Sequence, residues 1–348
     1  MSGKIGVALS GGVDSLCALI LLKRAGREVV ALHGTFLDNE DEEIAKRLSA
    51  ICDKLRAPLR FIDLKKQFAR EVARPFREAW MTGLTPNPCV ACNKKIKFGA
   101  LLDASRELGC ETMATGHYAL KKKNIRGASR VLARAPRTRK DQSYFLALLD
   151  EEQIAAASFP LGLMDKPQAR AIVRLAGFEI LAGEESEDIC FTQSRRYADA
   201  LDAVPNPGPV ILLDAKSGVE KKVGTHRGLW NYTPGQRKGL NISYKEPLYV
   251  IEKDIKRNIL YVGTRKDIGR DTAKIVEPIY SVAPEYWPEK VYVKIRSVGE
   301  PIPCAVSHRG EHIEATFLNG KTSVAAGQIA AFYDDAGVIL AGGTLSKE

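Results

Sequence analysis

Over the first 115 residues, short apolar runs alternate with longer stretches in which apolar residues recur every three or four positions. The runs at 5–9, 29–32, 59–62 and 112–115 have the length of strands. Leu16, Leu19, Ile20 and Leu22 gather mostly on one side of a helix predicted over 15–24, and Ile44, Leu48, Ile51 and Leu55 mark another over 42–55. A further helix is predicted over 97–108. Strands separated by helices imply an α/β domain, a parallel sheet with helices on both faces. The rhythm changes after about residue 200, where Pro205-Asn206-Pro207-Gly208-Pro209 breaks the chain. Short β-rich runs follow at 210–213, 248–252 and 259–262. Beyond 280, segments 291–295, 302–306, 312–317 and 329–333 lie between Gly-rich turns. These patterns predict a small β-rich central domain and a C-terminal β-barrel. The expected division is 1–200, 201–275 and 276–348, with no internal repeat.

The length of 348 residues agrees with two or three domains. No apolar run approaches the ~18 residues of a membrane span, and the N-terminus lacks the apolar stretch of a signal peptide. A cytoplasmic protein with no membrane partner is the expectation. The net charge of +10 favours a polyanionic partner, through the summed field and counterion release. The basic run Lys121-Lys122-Lys123, with Arg126, Arg130, Arg134, Arg137, Arg139 and Lys140 after it, is either a solvated loop or a phosphate-tracking surface. His33 and the three tryptophans are expected to pack, and His226 is either structural or facing nucleic acid.

Seven cysteines in such a chain do not make a disulfide framework. Cys17, Cys52, Cys110 and Cys304 lie among apolar or regular segments and are expected to be packed thiols. Cys89 and Cys92 differ. They sit in Thr85-Pro86-Asn87-Pro88-Cys89-Val90-Ala91-Cys92-Asn93-Lys94-Lys95, where prolines stiffen a loop and lysines follow at a helix start. Nearby lysines and a helix N-terminus raise a thiol's thiolate fraction. Cys190 lies in a second polar run, Ser186-Glu187-Asp188-Ile189-Cys190-Phe191.

The other strong signal is Ser10-Gly11-Gly12-Val13-Asp14-Ser15, between the first predicted strand and helix. Two glycines let backbone N–H groups converge, and the helix adds its positive end, so phosphate binding is expected. The segment is neither Gly-x4-Gly-Lys-Ser/Thr nor Gly-x-Gly-x-x-Gly. It resembles the pyrophosphate-binding loop of the N-type ATP pyrophosphatases, the adenine nucleotide alpha hydrolase-like enzymes that adenylate a substrate oxygen.

Together with the cysteine loop, Ala114-Thr115-Gly116-His117-Tyr118, Lys140-Asp141-Gln142-Ser143-Tyr144-Phe145-Leu146, Gly224-Thr225-His226-Arg227-Gly228 and 232–240, the sequence resembles the tRNA-specific 2-thiouridylases over nearly its whole length. That resemblance implies ATP-dependent replacement of the 2-oxygen of a wobble uridine by sulfur. It implies that Ala8, Leu9, Ser10, Gly11, Gly12, Val13, Asp14 and Ser15 hold ATP, with Leu37 against the adenine, Gly116 a further contact and Asp14 a magnesium contact. It makes Cys92 and Cys190 catalytic, and it turns Asn87, Pro88 and Cys89 toward the target base. It assigns tRNA contacts to His117, Lys140, Asp141 and Gln142, and from the barrel to Arg296, Ser297 and Gln328. Many members of that family carry aspartate where this chain has Cys89, and a thiol is a poor substitute for a carboxylate acid or base.

Three uses of the cysteines stay open at this point. A persulfide on Cys92 or Cys190 can attack the adenylated carbon, the other thiol closing a disulfide. A 4Fe–4S cluster held by Cys89, Cys92 and Cys190 can present sulfide at its open iron, and the added thiolate of Cys89 favours it. Structural zinc is the third, though no fourth ligand is evident. The sulfur donor is expected to be sulfide or a sulfur-relay protein. An adenylating enzyme with an amine nucleophile would leave the cysteines without a task, and a non-catalytic tRNA-binding protein would leave the loop at 10–15 without one.

Overall fold

The computed structural model describes residues 3–37, 42–136, 140–178, 206–213 and 220–347. Five parallel strands form the first sheet: β1 (Lys4–Ala8), β2 (Val29–Thr35), β3 (Leu59–Asp63), β4 (Cys110–Ala114) and, after the hairpin β5 (Ala119–Ile125) and β6 (Ala128–Arg134), the short β7 (Ala157–Ser158). Their spatial order is β3-β2-β1-β4-β7, so the chain winds one way from β1 and then returns to its other side. The register pairs Val7 with Ala31 on one flank and with Ala114 on the other. In such sheets ligands bind beyond the carboxyl ends of the strands, where the winding reverses. Here that point lies between the ends of β1 and β4.

Both faces of the sheet are covered. The helix Val13–Arg24 buries Leu16, Cys17, Leu19 and Ile20 and shares its core cluster with Ala169 and Val173 of the helix Lys166–Leu175. Each such side chain contributes about 1.5–3 kcal/mol of burial. The other face carries Ile96, Phe98, Leu101 and Leu102. The helix predicted over 97–108 begins earlier and is not uniform: a wide-turned π-helical stretch, Cys92–Leu101, runs into an α-helix, Leu102–Glu107, with Gly99 bent away from helical geometry (φ −103°, ψ −107°). The carbonyls that the wide turn releases are not wasted. Gln153 Nε2 donates to the carbonyls of Lys94 (2.8 Å) and Phe98 (2.9 Å).

The run Lys121-Lys122-Lys123 belongs to the hairpin β5–β6, and strand alternation separates its members. Lys121 turns inward, where its ammonium donates to the carbonyls of Ala155 (2.9 Å) and Ala157, while Lys123 is exposed. Arg137 and Arg139 lie outside the described residues.

The central unit is a four-stranded sheet, β8 (Gly208–Leu213), β9 (Glu220–His226), β10 (Tyr249–Asp254) and β11 (Ile259–Gly263), in the order β10-β11-β8-β9. His226 is structural: its Nε2 meets the carbonyl of Asn258 (3.0 Å) and its Nδ1 accepts from the Gly228 amide (3.1 Å). The last six strands, β12 (Thr272–Tyr280), β13 (Val291–Lys294), β14 (Ile302–Arg309), β15 (His312–Phe317), β16 (Ile329–Tyr333) and β17 (Ile339–Leu345), close into a barrel. The predicted strands at 312–317 and 329–333 are present with those bounds. Cys17 and Cys52 are buried thiols pushed up to about 11, and Cys304 up to about 12, chiefly by desolvation. Among the described residues no helix is long and apolar enough to cross a membrane.

The barrel is fastened to the first domain. Val131 and Ala133 of β6 belong to the barrel's own core, and the Arg134 amide donates to the Gly337 carbonyl at 2.9 Å. A second contact, at Thr85, lies at the root of the cysteine loop.

Candidate functional site

A cleft of about 430 Å3 opens at the carboxyl ends of β1, β2 and β4, where the winding reverses. Its floor is the loop that follows β1. Leu9 is held by its amide on the Leu32 carbonyl (2.8 Å), and the chain then turns at Gly11, whose φ of +82° suits only glycine without strain. Ser15 pins the turn, since its Oγ donates to the Gly12 carbonyl (3.0 Å) and accepts from the Ser10 amide (3.1 Å). Gly12 caps the helix Val13–Arg24 with no side-chain acceptor for the first amides. Those N–H groups and the helix dipole are left for an anion. Gly116, just past β4, lies across the loop so closely that a Cβ there would sit 2.6 Å from the Asp14 carbonyl carbon and 2.7 Å from the Ser15 amide.

The opposite wall is apolar. Leu32, Gly34, Phe36, Leu37 and Ile44 line it, and Phe36 is braced by stacking on Phe68 at 5.4 Å. Leu37, expected against an adenine, is therefore in the cleft, facing a floor suited to phosphate. His33, on the same side, is buried, with Nδ1 2.8 Å from the Leu9 carbonyl.

Asp14 has partners that the sequence did not disclose. Lys166 Nζ lies 2.7 Å from both of its carboxylate oxygens, and the Tyr118 hydroxyl donates to it at 2.8 Å. Burial and this bond push the Tyr118 phenol far above its ordinary range. Lys166 is the first residue of a helix opened by the capping box of Asp165 and Gln168. The capping signal is visible in the sequence, but the pairing across 152 positions is not. Asp14 is also the only carboxylate among the described residues of the cleft. As a magnesium contact it fits only if Lys166 yields, although one carboxylate plus substrate phosphates is a usual arrangement for that ion.

The residues expected to face tRNA separate into different environments. His117 is buried in the cleft wall, its Nδ1 2.8 Å from Thr115 Oγ1. Burial first, and then the charge of Lys97, hold its imidazole well below the usual histidine range, so it is neutral at physiological pH. Asp141 is turned inward, accepting from the amides of Ala135 and Ser143 (3.1 Å each), Ser143 Oγ (3.0 Å) and Arg134 Nε (3.3 Å). Gln142 Oε1 accepts from the Tyr118 amide at 3.0 Å. Lys140 is exposed, as are Arg296 and Ser297 in the loop after β13.

The cysteine loop is built on a cap. Asn87 Oδ1 accepts from the Val90 amide (3.4 Å) at the head of the short helix Pro88–Ala91. Pro88 is buried at the first helical position, where its missing N–H costs nothing. Cys89 is half-buried and Cys92 buried; three apart on continuous helical backbone, they share a face. Cys190 lies outside the described residues. Two of the three expected sulfur ligands thus stand on one turn, which suits either a metal cluster or a thiol pair.

Gln328 is placed by the barrel against the root of this loop. Its Nε2 donates to the Thr85 carbonyl (2.8 Å), and the Tyr144 hydroxyl lies 3.4 Å from its Oε1 and donates to the Ile329 carbonyl at 2.9 Å. The Thr85 amide donates to the Ala326 carbonyl (2.8 Å), and Gly327, at φ +87°, lets the two chains approach: a Cβ there would be 3.0 Å from Leu84 Cβ. Thr85, Tyr144 and Gln328 therefore couple the barrel to the cysteines.

Family models match this chain in three consecutive pieces. They are described as a tRNA methyl transferase HUP domain over residues 3–194, a tRNA methyl transferase PRC-barrel domain over 203–264 and an aminomethyltransferase beta-barrel domain over 272–345. The protein from Oleidesulfovibrio alaskensis named tRNA-specific 2-thiouridylase MnmA is 42% identical over 99% of both chains. The proteins of that name from Nitratidesulfovibrio vulgaris (Hildenborough) and Photorhabdus laumondii are 39% and 36% identical, covering 98% and 99% of this chain and 98% and 97% of their own. With likeness of this degree from end to end, the chain belongs to the tRNA-specific 2-thiouridylase family.

Proposed function

We propose that this protein adenylates the 2-oxygen of the wobble uridine of tRNA and replaces it with sulfur delivered at Cys92 and Cys190. The observation that carries this is the helix Cys92–Leu101. It starts at a cysteine of the thiol pair, and Lys97 and Leu101 along it line the cleft floored by the glycine loop. An activating site and a sulfur site at two ends of one helix are what a two-step oxygen-to-sulfur exchange needs.

In the first step the amides at the head of Val13–Arg24 and the Ser10–Ser15 loop hold ATP phosphates, while Leu37 and Phe36 cover the base. The target uridine is turned out of its stack to reach the α-phosphate. Its 2-oxygen bonds to that phosphorus, the bond to the bridging oxygen breaks, and pyrophosphate leaves with the electron pair; the N3 proton is lost. In the second step sulfur adds at carbon 2 and AMP departs. Asn87, Pro88 and Cys89 would present the base to Cys92; the partial exposure of Asn87 and Cys89 supports this, with Pro88 buried beneath them. Lys140, Arg296 and Ser297 offer polar contacts at the surface, and their exposure supports tRNA contact.

For the sulfur itself we favour a 4Fe–4S cluster on Cys89, Cys92 and Cys190. When bound it would present sulfide at its open iron, taken from free sulfide with no change of redox state, or from a sulfur-relay protein's persulfide with two electrons from an external thiol. The shared face of Cys89 and Cys92 supports it, as does the thiol at the position where many relatives hold aspartate. Otherwise the terminal sulfur of a persulfide on one cysteine attacks carbon 2 and AMP leaves; the second thiolate then attacks that cysteine's own sulfur, breaking its bond to the sulfur now on carbon 2, and an external thiol reduces the resulting disulfide.

Anaerobic purification with iron and sulfide quantitation, alongside a thionucleoside assay, decides between them. We expect brown protein with about four irons per chain, and loss of both iron and thiolation in Cys89→Ser. Colourless, chelator-treated protein that still thiolates tRNA would exclude the cluster. Absence of tRNA-dependent pyrophosphate release would exclude the adenylation itself.

A further inference from the structure

We propose that Lys97 is a catalytic residue of the adenylation step, its ammonium meeting the α-phosphate of ATP as the 2-oxygen attacks; this rests on the function proposed above. Two charged side chains line the described cleft, Asp14 and Lys97. Asp14 is matched by Lys166 at 2.7 Å. The Lys97 ammonium makes no ion pair or hydrogen bond with any described residue, although the side chain is only half-exposed and stands on a firmly held helix. Its neighbours on that helix are engaged elsewhere: Asn93 donates to the Phe145 carbonyl (3.0 Å), and Gln153 holds the carbonyls of Lys94 and Phe98. A cation fixed in a ligand cleft with no counter-ion among the described residues is suited to a counter-ion that arrives with the substrate.

The position fits one phosphate better than the others. The β- and γ-phosphates are served by the helix head and the glycine loop. Lys97 follows Cys92 by about one wide turn, because hydrogen bonds in that stretch run from i to i+5. It therefore stands between the cleft and the sulfur site, where the attacked phosphorus must be reached by the base. During the transfer, negative charge grows on the bridging oxygen that leaves with pyrophosphate and on the non-bridging α-oxygens. His117 is neutral in its buried setting and brings no charge to them. The ammonium of Lys97 does, from a position fixed on the cleft wall.

Single-turnover release of labelled pyrophosphate, with tRNA present and no sulfur donor, tests the inference. For Lys97→Met and Lys97→Gln we expect release slowed by about 10²–10³-fold, with dissociation constants for ATP and tRNA within about threefold of the parent. Lys97→Arg should recover at least about tenfold of the loss. Thermal melting identifies any variant that fails to fold, and the other neutral variant is then scored. Release from a folded neutral variant within about threefold of the parent would overturn the proposal, as would slowing matched by an equal loss of ATP affinity. A parent enzyme that releases no tRNA-dependent pyrophosphate would instead bring down the proposed function, and this inference with it.

Discussion

Substituting alanine at Gly116 and at Gly12 separates two reasons for a glycine in the proposed phosphate cleft. A Cβ on Gly116 would fall 2.6 Å from the Asp14 carbonyl carbon and 2.7 Å from the Ser15 amide, both backbone atoms, against an ordinary contact of 3.4–4 Å. Its backbone φ is not in the left-handed region, so the penalty is purely steric. The loop must give way by the better part of an ångström. Overpacking of this kind costs about 1–3 kcal/mol of stability. A displacement of about 1 Å in a positioning loop is enough to cost ~10²-fold in rate. Gly12 is different. A Cβ there meets nothing nearer than Ser10 Oγ at 3.6 Å, and its φ of −87° is open to any residue. Gly12→Ala should leave folding within about 0.5 kcal/mol of the parent, and any loss of ATP affinity then measures how closely phosphate approaches that atom. Denaturant melts, calorimetric titration with ATP and tRNA-dependent pyrophosphate release provide the three readouts. Gly116→Ala with parental stability and parental release would refute the steric argument. Gly12→Ala with parental ATP affinity would remove the loop from the phosphate site.

Gln328→Leu removes the donor to the Thr85 carbonyl and the contact with Tyr144, leaving polar groups unpaired at a cost of about 1–3 kcal/mol; thiolation should fall more than tRNA affinity, and a loss confined to affinity would show a tRNA contact instead. Lys253 is 4% exposed, its ammonium lies over the Trp80 ring at 5.2 Å with no hydrogen-bond partner among the described residues, and burial lowers its pKa from 10.5 to about 8. The unfolded chain binds this proton more tightly, so stability should rise with pH from about 8 to 10.5, by up to about 3 kcal/mol. Lys253→Met should flatten that slope and stabilise the protein at neutral pH; an unchanged pH profile would contradict the burial argument.

The sequence determined the α/β domain, the β-rich centre, the barrel strands and the two motifs, because each is a local signal. Strand length, helical periodicity, Gly-Gly before a helix and Cys-x-x-Cys after prolines are all written within a dozen residues. It also identified Cys304 and Cys17 as core thiols from their apolar neighbours. The tertiary structure decided what those motifs touch. The wide turn at Cys92–Leu101 is held because Gln153, some fifty-five residues on, donates to its loosened carbonyls. Asp14 is matched by Lys166, Asp141 is turned inward onto Arg134 and Ser143, and His117 is sealed between Phe98 and Phe159. Gln328 reaches Thr85 across 243 positions. Partnerships of that span depend on how sheets and barrel close upon one another. No local pattern encodes them, whereas every residue type needed to read the chemistry stands in short, contiguous segments.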